Sequence, residues 1–147
     1  MAKFVYRMQN VQNIKQKLET QAKMADSIAN QKYLEEQDKL QQLVVKRVTY
    51  ETKFKELMND IIDIRKVNSA RSDVNTIKSL IRTQMFQVKK AEDELEIKRA
   101  ALADVMAERK THERLRDKAF ERFQQEEKAV EAKEIDELVS VNYNSDR

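Results

Sequence analysis

Glycine, proline, cysteine and tryptophan are all missing from this sequence, and histidine occurs once in its 147 residues. Each absence excludes something. Turns draw on glycine and proline, so a chain without either is expected to have very few turns. A phosphate-cradling loop needs glycine, which removes P-loop nucleotide hydrolysis. Without cysteine there are no disulfides and no thiolate metal ligands, which fits a reducing compartment. A lone His112, with no cysteine and no gathered carboxylates, makes neither a zinc site nor a catalytic triad. Apolar runs are short, as at 43–45, so no membrane-crossing helix is expected. Residues 1–25 carry five basic side chains but no apolar core segment, so no secretory signal is expected.

What remains is 37% charged and 40% hydrophobic, dominated by Ala, Glu, Lys, Leu, Gln and Arg. These are strong helix formers. The net charge of +3 and pI near 9 read as a solvated mixed-sign surface. Lys89, Lys90, Glu92, Asp93, Glu94, Glu96, Lys98 and Arg99 alternate in sign. A nucleic-acid binder needs a basic stripe with aromatic or donor side chains, and none is evident.

The clearest pattern lies at 40–64. Leu40, Leu43, Tyr50, Phe54, Leu57, Ile61 and Ile64 step by three and four, broken only by Arg47, which predicts an a/d heptad seam. Such a seam is stable in water only when another helix covers it. Upstream, Phe4, Tyr6 and Met8 form a lead-in. Val11, Ile14, Leu18, Ala22 or Ala25, and Ile28 then read as a helix face. Its phase slips between 31 and 37, and its average repeat is nearer the ~3.6 of a straight helix than 3.5. Downstream, Ile77, Leu80 or Ile81, Met85, Val88, Leu95, Leu102, Val105 and Leu115 supply the second seam. Ile81, Val88, Leu95 and Leu102 recur every seven residues, with weak Gln84, Ala91 and Lys98 between them. Residues 139–147 read as a frayed tail.

Two turn positions are open. At 59–63, Asn59, Asp60 and Asp63 can cap, with Asp63 starting a new helix at Ile64. At 68–73, Ser69 or Ser72 could cap, and this run is the most polar and the poorest helix former in the chain. Two amphipathic arms joined by a short turn predict an all-α fold, a long antiparallel two-helix coiled-coil hairpin. At ~1.5 Å per residue, about 55 residues per arm gives roughly 80 Å.

No residues converge for catalysis, since general acid–base chemistry needs a water-excluded pocket. The carboxylate pairs Asp60/Asp63, Glu126/Glu127 and Asp136/Glu137 read as helix surface, and the six methionines as seam fillers. An enzyme and a cofactor are not expected, and function must lie in surfaces. Phe120 and Phe123 either form an apolar docking patch or pack on Phe4, Tyr6 and Met8.

Phe4, Tyr6, Met8, Val11, Ile14, Lys15, Glu19 and Ala22 follow the spacing that opens FliJ proteins of bacterial flagellar export. The run Leu115-Arg116-Asp117-Lys118-Ala119-Phe120, then Phe123, Glu127-Lys128-Ala129, Glu131, Lys133-Glu134 and Asp136-Glu137, is similar to that family's basic-then-acidic close. The chain resembles FliJ proteins over essentially its whole length. The resemblance places the turn at 59–63, aligning a small-or-Gly, apolar, Ser, apolar segment with Ile61-Ile62-Asp63-Ile64, where this sequence lacks the glycine. It gives one domain over 1–147: helix 1 about 5–58, helix 2 about 64–138, tail 139–147, with a weak spot at 68–72.

The resemblance further implies a non-enzymatic, cytoplasmic export component shaped like the central stalk of rotary ATPases. It would bind the hexameric export ATPase FliI, contact the export-gate protein FlhA and help recycle export chaperones. Membrane association would run only through partners, at the cytoplasmic face of the inner membrane. The ATPase-facing tip would comprise Phe120, Phe123, Glu127, Glu131, Glu134 and Asp136. The gate-facing positions would be Asp73, Ile77, Leu80 and Gln84, where Asp73 replaces an aromatic. A monomeric hairpin is expected. The alternatives are a homodimeric coiled-coil scaffold or chaperone, and a basic rod on nucleic acid or anionic membrane.

Overall fold

A computed structural model describes residues 2–59 and 61–145. Met1, Asp60 and residues 146–147 lie outside it, and with them the proposed capping role of Asp60, the Asp60/Asp63 pair, Met1 as a seam filler and the end of the tail. The chain is all-helical, with α1 over Gln9–Met58 and α2 over Ile64–Ser145 packed against each other, and no strand among the described residues.

The boundaries have local causes. Tyr6 accepts a hydrogen bond from the Gln9 main-chain N–H and Met8 one from that of Gln12, so α1 starts at Gln9, later than position 5. Its end tightens where the Asn59 N–H reaches the Glu56 carbonyl, with Lys55 in the last turn facing the negative end of the helix. Asp63 then caps α2. Its Oδ1 accepts a hydrogen bond from the Arg65 N–H at 3.0 Å, and its carbonyl accepts one from Val67. No described residue has positive φ, so this connection makes no demand for glycine. The alternative turn at 68–73 is overturned, because those residues are helical and Ala70 is buried. The tail expectation is also corrected, since α2 runs through 139 to Ser145. Thr49, Thr52, Thr83 and Thr111 fit in helix interiors by donating their hydroxyls to the carbonyl four residues back.

By internal contacts the chain divides into two compact units. One comprises Ala22–Leu102. Here Glu36 meets Gln84 while Asp26 and Asn30 meet Arg99, so α1 and α2 run antiparallel. Its core is Ala29, Val67, Ala70, Ile77, Ile81, Ala91 and Leu95, all buried. Small alanines let the backbones approach closely, and Ile and Leu fill what they leave.

The other comprises Met1–Gln21 and Ala103–Arg147. It is antiparallel too, with Phe4 on Phe120 and Phe123, Gln9 on Arg116, and Lys15 on Glu108. Its buried residues are polar, Gln12 and Glu19, the latter ion-paired to Arg109.

Within α1 the buried or half-buried residues 9, 12, 15, 19, 22, 26, 29, 33, 36, 40, 43, 47, 50, 54 and 57 form one series, and half-buried 11, 25, 30 and 51 flank it. The step of three and four never breaks, so the phase slip at 31–37 and the straighter ~3.6 repeat are corrected. The face read as Ile14, Leu18 and Ile28 is exposed, at 56%, 41% and 67%, because it lies one position off the seam. At the other end the seam stops at Leu57, with Ile61 and Ile64 exposed. In α2 the expected seven-residue repeat holds, but Leu80, Met85 and Leu115 stand off it. The methionines are not seam fillers as a group, since Met8, Met24, Met58 and Met85 are exposed.

Candidate partner-binding surfaces

Phe120 and Phe123 pack on Phe4, while Met8, expected to share in that packing, is exposed. The Phe4 ring meets Phe120 edge-on at 5.0 Å and 72°, and Phe123 at 5.4 Å. The Arg116 guanidinium sits 5.9 Å from the Phe4 centroid, and its Nε donates to Gln9 Oε1 at 3.4 Å. This ring cluster pins the non-helical lead-in to α2, and edge-to-face pairs of this kind add about 0.5–1.5 kcal/mol beyond their area. Phe120 still leaves 40% of its surface in solvent, so the cluster has an open edge.

Beyond it, α2 is uncovered. Glu127 is half-buried, and every residue of 128–144 is exposed. Glu131, Glu134 and Asp136 therefore face solvent, interleaved with exposed Val130, Ile135, Leu138, Val139 and Val141. Polar and apolar side chains thus meet solvent together along this stretch of α2.

The four positions expected to face a gate divide. Ile77 is 2% exposed and belongs to the core of its unit. Gln84 is on the seam, its Nε2 donating to the Glu36 carbonyl at 2.9 Å and to Glu36 Oε2 at 2.6 Å. Asp73 and Leu80 are exposed and seven residues apart, on one flank of α2.

Glu36 is the electrostatic centre of this stretch. Lys32 donates to it at 2.8 Å, Gln84 donates from across the seam, and Lys39 stands 3.6 Å away. These hold its carboxyl far below 4.5, at about 2, against the opposing effect of burial. Elsewhere Arg47 lowers Glu51, Lys15 lowers Glu108, and Glu113 raises Arg109, each mainly through a hydrogen bond. Among the described residues no cluster of three or more His, Cys, Asp or Glu could hold a metal. His112 is half-buried on the seam, with Nδ1 buried and unpartnered.

Sequence reasoning missed two features. Phe86 is 68% exposed on the outer side of α2 beside Met85. Residues 64–90 also hold seven Lys and Arg against Asp73 alone. Counting charge over that window would have shown the basic stretch, whereas inspecting 89–99 showed only alternation. The family model described as Flagellar FliJ protein matches residues 4–147. The chain belongs to the FliJ family. It is thus a component of the flagellar protein export apparatus, and the family is a non-catalytic one. No curated protein and no solved structure matches the chain significantly. No described helix is long and apolar enough to cross a membrane.

Proposed function

We propose that this FliJ-family chain is the stalk of the export ATPase complex: it binds the FliI ring, couples it to the gate protein FlhA and assists the return of empty export chaperones. The observation that carries the reading is the uncovered acidic helix at 128–144. A ring pore lined by basic and apolar groups suits such a helix, and Phe120 with its open edge adds an aromatic anchor. Phe123, Glu127, Glu131, Glu134 and Asp136 complete that tip. The gate contact is assigned to Asp73 and Leu80, with Ile77 and Gln84 holding that stretch of α2 in register from behind. The protein then works at the cytoplasmic face of the membrane at the flagellar base, held there by its partners.

The experiment is a titration of the cognate export ATPase with this protein, following turnover and ring assembly. Stimulation of both is expected, and loss of stimulation when Glu131 and Glu134 become Lys. No change at saturating protein would remove the ATPase part of the proposal. Retention of FlhA binding by Leu80→Asp would remove the gate assignment.

A further inference from the structure

A groove on one side of the Ala22–Leu102 unit is lined by both helices. Phe54 and Val74, half-buried, form its floor, and Lys55, Arg71 and Lys78 stand along its edges with Glu51 and Asn75. The three cations form no ion pair among the described residues, and Glu51, the acid beside them in the groove, is bonded to Arg47. A concave apolar floor between basic edges is the shape that receives an amphipathic acidic helix. A flat lipid surface does not reach such a floor, and an oligonucleotide needs an open aromatic face where Phe54 is half-buried.

The same chain carries a helix of the matching kind. Glu134, Glu137, Leu138 and Val141 line one continuous surface of α2. Val130 and Glu127, four and seven residues before Glu134, extend that face by helical periodicity. Its acids lie among its apolar side chains, so it fits poorly against a purely apolar seam and well against a basic-edged one. Glu127, Glu131 and Glu134 have no ion-pair partner among the described residues.

We infer that this groove is a self-association site, taking the acidic C-terminal helix of a second copy of the chain as a third helix. Glu127, Glu131 and Glu134 of the incoming helix meet Lys55, Arg71 and Lys78, while Val130, Leu138 and Val141 settle on Phe54 and Val74. This stands on the two surfaces alone and not on the export role. It has a functional corollary: a tail seated on another copy is covered until a stronger partner displaces it.

The test is mass by light scattering over a concentration series, with helicity checked by circular dichroism. At low salt the mass rises from the single-chain 17.4 kDa as concentration increases. Raising NaCl from about 50 to about 500 mM weakens association on the order of tenfold, because the facing charges are screened. The variants Arg71→Glu/Lys78→Glu and Glu131→Lys/Glu134→Lys each stay monomeric, and mixing them restores association. Because the chain has no cysteine, Lys78→Cys and Glu134→Cys copies, otherwise wild type, are expected to form an intermolecular disulfide when mixed. That readout stands even if a charge reversal costs helicity. A wild-type chain monomeric throughout, association that survives both reversals, or no restoration on mixing each overturns the inference. So does a monomeric chain that binds phosphatidylserine vesicles or a single-stranded oligonucleotide through Arg71 and Lys78, which would assign the groove to that occupant.

Discussion

Polar side chains occupy seam positions that a coiled coil ordinarily fills with Leu, Ile or Val, and Glu36 is the best defined of them. A charge there weakens the zipper unless every partner is present, but it also punishes any other register, because a shifted helix would leave the carboxylate facing an apolar neighbour. Gln84 is the partner supplied by the other helix. Gln84→Leu is therefore expected to lower the melting temperature despite adding apolar surface, whereas Glu36→Leu with Gln84→Leu recovers or exceeds it and blurs the register. Cysteine pairs placed at adjacent registers and compared for cross-linking measure that blurring. Glu36 also sets a pH window. Its folded value of about 2 lies below the ordinary 4.5, so its contribution is complete above 4.5 and drains away as pH falls toward 2. Acid unfolding of Glu36→Gln should lose this part of the pH dependence. A Glu36→Gln acid-unfolding curve superimposable on wild type would contradict the assignment.

At the scale of the element, the decisive feature is that both helices keep one register by position and not by hydrophobicity. Leu40, Leu43, Tyr50, Phe54 and Leu57 were legible because the seam there is apolar. In α2, Ile81, Val88, Leu95 and Leu102, with Gln84, Ala91 and Lys98 between, were legible by their seven-residue recurrence. The first half of α1 was not. Its seam holds Ala22, Ala29 and Tyr33 but also Gln12, Lys15, Glu19, Asp26 and Glu36, while Val11, Ile14, Leu18 and Ile28 form a greasier stripe one residue away. A reading that follows apolar residues takes that stripe, and only knowledge of the facing groups (Arg109, Arg99, Gln84) reveals the polar seam. Substitution checks this directly. Ile28→Lys should change stability by no more than about 0.5 kcal/mol, as at other exposed sites. Ala29→Lys, one residue on and buried, should cost several times as much, since it drives a charge into a closely packed layer. The start of α2 follows the same logic. Asp63→Ala removes the acceptor for the Arg65 N–H and should cost about 1 kcal/mol in chemical denaturation.

The whole molecule is governed by an uneven distribution of cohesion. The buried apolar residues, Ala29, Val67, Ala70, Ile77, Ile81, Ala91 and Leu95, all belong to the Ala22–Leu102 unit. The Met1–Gln21 and Ala103–Arg147 unit relies on Gln12, Glu19 with Arg109, and the rings of Phe4, Phe120 and Phe123. Ile77→Ala should cost about 2–5 kcal/mol, the usual range for emptying a core position. Residues 128–144 are all exposed, so they draw on helix propensity and continuity with the helix before them more than on burial. Amide hydrogen exchange should therefore be fastest there and slowest around 70–95, because protection follows the free energy of local opening. Deleting 128–147 should leave the denaturation midpoint of the rest within the error of measurement, since the residues described there, 128–144, are all exposed. The same deletion should abolish both stimulation of the export ATPase and concentration-dependent association, because both are assigned to that helix. The two readouts divide the outcomes. A lower midpoint would mean that the segment is structural and that 128–144 has a partner in the folded chain. Stimulation that survives the deletion would move the ATPase contact elsewhere, to the open edge of Phe120, where Phe120→Ala in the shortened chain would test it in turn.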